Sequence, residues 1–308
     1  MLRRSHSSRL WHTFTAMLCA LVASCDRPTQ PPARVSEGRV VSLSPAVSVI
    51  LRDLGVEATV VGRHGYEMVL SESLPVCGDQ AGIDLERLIA VNPDLVITQW
   101  GRRSLPERLQ TMATKHGWQL HDAVLLSLDD IRREVPALSH LVRQAGGPDS
   151  SAQAAALAAE MDRAWSIRGA GFRGAGRVLL LADAAPPSVL GPGSFHHQIL
   201  EAIGGLPAVS AGNAFQELTS EDVVALAPDA IILIMPRSPG APPRASGPHT
   251  PQEALLLLGN LGVLDIPAVT TKRVAVIDDP LAHTPSTAMI ALADEMAKVL
   301  AGWSPQAK

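Results

Sequence analysis

The chain has 308 residues, which is long for one compact core and sufficient for two. Its formal net charge is -4 at pH 7 and it has no basic stripe, which argues against a nucleic-acid-binding protein. Of its three cysteines only Cys77 lies within the predicted globular part, so no intramolecular disulfide is expected and a packed thiol is predicted.

Residues 1–24 have the pattern of a lipoprotein signal peptide. Three arginines are followed by an apolar segment over residues 10–23, and small residues stand immediately before Cys25. This order predicts cleavage after residue 24, a lipid on Cys25 and a proline-rich tether over residues 25–38. Cleavage would remove three arginines and no acids, which lowers the net charge from -4 to -7. An uncleaved anchor is the alternative, but the apolar run is short for a span. Either way the globular part is expected on the periplasmic side of a membrane.

Residues 39–146 predict an N-terminal lobe in which strands and helices alternate. Ser44 and Pro45 supply a helix cap and a proline at the first helical position. The predicted elements are strands at 39–43 and 60–62, a helix at 46–54, a short helix after residue 84, a strand ending at residue 97, a helix at 105–116 and a strand at 119–124. Such alternation indicates a parallel sheet that is covered by helices on both faces.

One stretch of this lobe recurs in the same register, since residues 84–97 correspond to residues 219–232. Each copy opens with a residue that can cap a helix and carries a glutamate in the first helical turn, Glu86 and Glu221. Proline then ends the helix, and an apolar β-branched run indicates a buried strand. The repeat therefore predicts two similar α/β halves with equivalent glutamates.

Residues 147–172 predict a connecting helix, because residues 150–167 are rich in alanine and lack glycine and proline. A helix is a stiff connector, so the lobes are expected to tilt little; a crossover helix within one large sheet is the alternative. The C-terminal lobe is predicted at 173–303, with a tail at 304–308. Its elements are a strand at 177–182, a turn at 191–194, a helix at 195–203, the second repeat, a proline-rich loop at 236–251, a helix at 252–258 and a strand at 273–278.

The order of these motifs resembles the helical-backbone periplasmic substrate-binding proteins, which serve ABC importers of cobalamin, haem and iron-siderophore complexes. The cobalamin-binding branch is the most similar. The resemblance is carried by residues 39–45, 60–62, 84–97, 191–195, 201–205 and 219–232. It implies an α/β fold of two lobes joined by a single rigid helix, with the ligand cleft between them. It also implies a monomer that is held to the membrane through its lipid and delivers a small molecule to a permease dimer with its ATPase.

The resemblance also gives the duplicated glutamates a role. In the family, one exposed glutamate on each lobe docks onto arginines of the permease, and Glu86 and Glu221 fall on those positions. Two carboxylates held far apart on rigid helices would match a two-fold partner. The alternative is that both only stabilise helix dipoles, at about 0.3–1 kcal/mol each.

The ligand cleft is expected on loops at the carboxyl ends of strands. Aromatic residues make up only 3% of the chain, so their presence on these loops is informative. Trp100 and Phe215 would hold a flat corrinoid from opposite lobes, and the carboxylate of Glu217 would suit an amide-rich rim better than an anionic one. The predicted ligand-binding residues are His64, Tyr66, Asp79, Gln80, Trp100, Arg102, Ser194, Phe195, His196, Phe215, Gln216, Glu217 and His283.

Other ligands and classes stay open at this point. His64, His196 and His283 could instead coordinate a metal, either as a free ion or inside the ligand. A ferric siderophore, haem or a ligand-sensing lipoprotein without a transporter are further alternatives, and no resident cofactor is expected. The sequence has no Gly-x-Ser-x-Gly elbow, no phosphate-binding glycine loop and no zinc-protease helix, so no enzyme is predicted.

Overall fold

The computed structural model describes residues 38–304, apart from residues 80, 81, 102, 103 and 246. The predicted signal peptide, the lipidated Cys25 and most of the tether lie outside these described residues. Within the part that is described, no helix combines the length and the apolar character needed to cross a membrane. The described residues belong to one compact unit.

The N-terminal lobe is built on a six-stranded sheet with the order β4-β3-β2-β1-β5-β6. Its strands are β1 (Val40–Ser42), β2 (Val60–His64), β3 (Val76–Asp79), β4 (Gly82–Ile83), β5 (Leu95–Thr98) and β6 (Gln119–Asp122). The predicted parallel pairing holds for all neighbours except β3 and β4, which are antiparallel. Three helices flank it: α1 (Pro45–Asp53), α2 (Leu85–Val91) and α3 (Glu107–His116). Ser44 caps α1 as predicted.

Two helices, rather than one, connect the sheets. They are α4 (Leu128–Gln144) and α5 (Ser151–Ala164), which pack against each other. The predicted connecting helix is α5, which is shorter than the predicted span because it ends before Trp165. The helix α4 was not predicted from the sequence. Pro136 lies inside α4, and an internal proline weakens the sequence signal for a continuous helix.

The C-terminal lobe has a second sheet with the order β10-β8-β7-β11-β12, and β9 also pairs with β7. Its strands are β7 (Arg177–Ala184), β8 (Pro187–Leu190), β9 (Leu206–Pro207), β10 (Phe215–Glu217), β11 (Ala230–Ile234) and β12 (Val274–Ile277). Its helices are α6 (Phe195–Ala202), α7 (Ser220–Leu226), α8 (Pro251–Leu257), α9 (Pro267–Thr270) and α10 (Met289–Trp303). Because β8 is antiparallel to both β7 and β10, this sheet is mixed rather than parallel, which corrects the prediction.

An arginine and an aspartate close each copy of the repeat. The backbone N–H of Arg39, at the start of β1, donates to the Asp94 carboxylate at 2.9 Å. In the second copy the backbone N–H of Arg177 donates to the Asp229 carboxylate at 2.7 Å. Each aspartate follows the proline that ends the short helix. The pair therefore fixes the turn that carries the chain from helix to strand.

The same two arginines also cap the helices of the repeat. The Arg39 guanidinium donates to the carbonyl of Val91 at 2.7 Å, and the Arg177 guanidinium donates to the carbonyl of Leu226 at 2.6 Å. The last carbonyls of a helix lack intrahelical partners and carry the negative end of its dipole. A cation at this position stabilises both short helices and links them to the first strand of each lobe.

A single apolar cluster runs through both lobes and the connecting helices. It includes Ile50 of α1, Ile131 of α4, Met161 of α5, Ile199 of α6 and Met296 of α10, each with no exposed surface. This core contains residues on both sides of the predicted lobe boundaries at residues 146 and 172. The packing does not mark the boundaries, and they stay predictions. A large apolar contact between lobes restricts their relative movement.

Candidate ligand-binding site

The carboxyl ends of three N-lobe strands meet around a small cavity. His64 ends β2, Asp79 ends β3, and Gln99 and Trp100 follow β5. These side chains line a cavity of about 140 Å³, with Leu43, Gly78, Ile83 and Thr98 completing its wall. Three predicted site residues are thus brought together. Gln80 and Arg102 lie outside the described residues, and Tyr66 is 65% exposed next to this group.

His64 is held as a neutral hydrogen-bond donor. The side chain is buried, and its Nδ1 accepts the backbone N–H of Tyr66 at 3.0 Å, so the ring proton belongs on Nε2. Burial lowers the pKa of His64, although the carboxylates of Asp79 and Glu67 act in the opposite direction. Neither ring nitrogen then has a lone pair available for a metal ion.

The Ser44 hydroxyl and the Asp122 carboxylate orient the segment that follows β5. The Ser44 hydroxyl donates to Gln99 Oε1 at 2.6 Å. This bond occupies the amide oxygen of Gln99 and leaves its NH₂ group as a donor. The Asp122 carboxylate accepts the Thr98 hydroxyl at 2.7 Å and the Trp100 backbone N–H at 2.6 Å. Sequence reasoning did not assign Asp122 this role. The signal was its position at the carboxyl end of β6, directly beside β5.

In the C-terminal lobe, His196 and His283 form a pair that is fixed by backbone carbonyls. His196 Nε2 lies 2.8 Å from the Ala282 carbonyl and 3.2 Å from His283 Nδ1. His283 Nε2 lies 3.1 Å from the Ile234 carbonyl. Carbonyls only accept, so both protons belong on the Nε2 atoms and the His283 lone pair faces His196. Burial, followed by the neighbouring His283, lowers the pKa of His196 to about 4.

This arrangement gives the histidines a structural use. Burial also lowers the pKa of His283. Across the described residues, no group of three or more histidine, cysteine or acidic side chains is placed to hold a metal ion. The bonds to the carbonyls of Ala282 and Ile234 are consistent with the hydrogen-bonding interpretation of His196 and His283.

The remaining C-lobe candidates lie on a strand and a helix. Phe215, Gln216 and Glu217 form β10, an edge strand, and not the loop that was predicted; its pairing with β8 supplies the strand geometry. Phe215 is 58% exposed and offers a free aromatic surface. Ser194 caps α6 by accepting the backbone N–H of His197, whereas Phe195 packs against the shared core.

Both duplicated glutamates are exposed and equivalent. Glu86 lies in the first turn of α2 and Glu221 in the first turn of α7. One turn further along, Ile89 and Val224 are 41% and 45% exposed. Residues three apart lie on the same face of a helix, so each copy presents a carboxylate beside an apolar side chain. Near Glu221, Val224 and Leu264 also line a shallow surface depression.

Comparison with known proteins now assigns the family. A model of the periplasmic binding protein family matches residues 40–281, so the chain belongs to this family. Members bind small ligands for ABC transporter permeases and are not enzymes, and the two-lobe α/β interpretation is confirmed. The vitamin B12-binding protein of Salmonella typhi is 28% identical over 198 residues, which cover 63% of this chain and 71% of that protein.

Two solved structures illustrate the shared fold. The periplasmic vitamin B12 binding protein BtuF of Vibrio cholerae superposes with a TM-score of 0.61 at 16% identity, covering 87% of this chain and 98% of that one. The periplasmic heme-binding protein BhuT in complex with two hemes gives a TM-score of 0.59 at 18% identity, covering 86% and 98%. At these identities the likeness establishes the fold alone.

The buried His196 predicts an acid-sensitive stability. Its pKa is about 4 in the folded chain against an ordinary value of 6.5, so between these values the unfolded chain binds more protons. The contribution of the neutral His196 ring to folding stability is complete above pH 6.5, and it falls as the pH is lowered towards about 4. Urea unfolding of the signal-free domain should give roughly 2–3 kcal/mol less stability at about pH 4.5 than at about pH 7. His196→Gln, which keeps a donor for Ala282, should lose most of this difference. An unchanged pH dependence in that variant would show that His196 titrates normally.

Proposed function

We propose that this chain is the lipid-anchored substrate-binding component of an ABC importer and that it captures a corrinoid of the cobalamin type. The observation that carries the ligand class is the N-lobe cavity, where neutral donors and an indole ring meet. Haem, a ferric siderophore and a free metal ion remain the competing ligands. The donor nitrogens of His64 and Gln99 suit uncharged oxygen acceptors, and the Asp79 carboxylate in the same cavity disfavours an anionic rim. Glu217, on β10 of the other lobe, would act in the same direction.

The sequence relatives support placing a corrinoid before haem among the candidate ligands. The sequence match to a vitamin B12-binding protein reaches 28% identity over 63% of the chain, whereas the solved B12-binding and haem-binding structures, at 16% and 18% identity, share the fold equally. Trp100 and the exposed Phe215 would supply apolar surface for the faces of a corrin ring. Haem is the second candidate, because it is also a flat macrocycle that these rings could contact.

Titration of the purified signal-free domain tests the ligand class. Cyanocobalamin should bind more tightly than haemin or a ferric hydroxamate, and Trp100→Ala should weaken its binding by about tenfold because an aromatic contact is lost. Calorimetry gives both affinities. Tighter binding of haemin than of cyanocobalamin would replace the corrinoid with haem, and binding of only a bare metal ion would support a metal importer.

For the partner, we propose that Glu86 and Glu221 dock onto the two subunits of the permease. Their equivalent placement and the exposed Ile89 and Val224 beside them support this use, since charge sets register and apolar surface adds contact area. A sensing lipoprotein without a transporter would need neither feature.

A double variant separates docking from helix stabilisation. Glu86→Gln with Glu221→Gln should leave cyanocobalamin affinity within about threefold and reduce its uptake by cells at least about tenfold. The matched control is Glu107→Gln, which removes an exposed first-turn glutamate of α3 outside the repeat. Uptake of labelled cyanocobalamin by cells that carry each variant in place of the wild type is the measurement. Equal uptake by the double variant and the control would assign both glutamates to their helices alone.

For the anchor, we propose that Cys25 carries the lipid, on the evidence of the small residues that precede it. Labelled palmitate should enter the wild-type protein, and Cys25→Ser should abolish the incorporation because the acylated thiol is gone. Cys77→Ser is the matched control, since that thiol is buried and burial raises its pKa to about 11. Equal labelling of the Cys25 variant and the wild type would refute the anchor.

A further inference from the structure

The N-lobe cavity is too small to enclose a macrocycle. Pockets that enclose whole small molecules have volumes of about 300–1,000 Å³, whereas this cavity has about 140 Å³. Only a side group of a larger ligand fits inside it. The ring of Trp100 lies in its wall, so the body of the ligand would lie against that edge.

Two fixed donors line this cavity. His64 has its acceptor nitrogen occupied by the Tyr66 backbone N–H, which leaves Nε2–H as its remaining polar group. Gln99 has its oxygen occupied by the Ser44 hydroxyl, which leaves the NH₂ group. A carbonyl oxygen has two lone pairs and can accept from both donors.

An acceptor lines the same cavity. Asp79 contributes a carboxylate, and its Oδ1 accepts the Gly82 backbone N–H at 3.3 Å. A carboxylate offers about four lone-pair sites and only accepts hydrogen bonds. Among the described residues that line it, the site thus combines the two neutral donors with the carboxylate of Asp79. A carboxylate on the ligand would meet the Asp79 charge, whereas an NH₂ group would donate to it.

We propose that this cavity is a binding site for one primary carboxamide group of the ligand. The amide oxygen accepts from His64 and Gln99, and the amide NH₂ donates to Asp79. The inference rests on the proposed function, because it names the group by which a corrinoid is recognised. Discrimination follows from desolvation: an acid in place of the amide has no NH₂ group to donate to Asp79, and it brings two negative charges together.

A pair of ligands and two variants that change the charge of the cavity in opposite directions test the assignment. Dicyanocobinamide and dicyanocobyrinic acid share the corrin ring but carry peripheral amides and carboxylates, respectively. The wild-type domain should bind the amide form at least about tenfold more tightly. Gln99→Glu keeps an oxygen for Ser44 but replaces the donor with an anion, and it should weaken binding of the amide form about tenfold or more. Asp79→Asn should narrow the preference for the amide form.

The control variant is Gln252→Glu, an identical change on the exposed surface of α8, which should leave both affinities unchanged. Equal affinity of the wild type for the two corrinoids, or equal affinity of Gln99→Glu and Gln252→Glu for the amide form, would overturn the carboxamide site while the corrinoid function stands. Absence of binding to either corrinoid, with haemin bound instead, would overturn the proposed ligand and the carboxamide site together.

Discussion

The apolar core shared by the two lobes is the constraint on which the rest of this structure depends. Side chains from α1, α4, α5, α6 and α10 are buried in one cluster, so the lobes cannot separate without exposing them. Hydrogen bonds cross the same boundary, for example from the Leu128 backbone N–H to Gln198 Oε1 at 3.1 Å. This core holds the lobes together without a ligand, so the ligand cleft proposed between them would be largely formed in advance. Less order then has to be created on binding, and discrimination depends on side chains that are already in position.

The repeated helix-strand unit holds two surface side chains, Glu86 and Glu221, at fixed positions. Helices of seven residues are too short to be stable alone. Here Arg39 and Arg177 bind the carbonyls at the C-termini of these helices; Arg39 immediately precedes the central strand β1, and Arg177 is the first residue of the central strand β7. The glutamates at the opposite ends are therefore tied to the sheets through a few short bonds.

The sequence allowed much of the fold to be predicted because its signals were local. Caps such as Ser44 and Thr219, and prolines that end helices, depend on neighbours within a few residues. The strand β10 could not be predicted, because three residues become a strand only through pairing with β8. The role of Asp122 depends on the register that places it opposite Thr98. The histidine protonation states depend on carbonyls that are distant in the chain, such as Ile234 for His283.

The two lobes differ in the polar chemistry they offer. In the C-terminal lobe, His196 and His283 direct their Nε2 donors to backbone carbonyls, so neither ring has a donor left for a ligand. In the N-terminal lobe, backbone and hydroxyl groups occupy the acceptors of His64 and Gln99 and leave their donors. A ligand that contacted both lobes, as proposed, would direct carbonyl oxygens of its rim at His64 and Gln99. Orientation would then be set by which hydrogen-bonding atoms the protein has already used internally, rather than by the net charge of the chain.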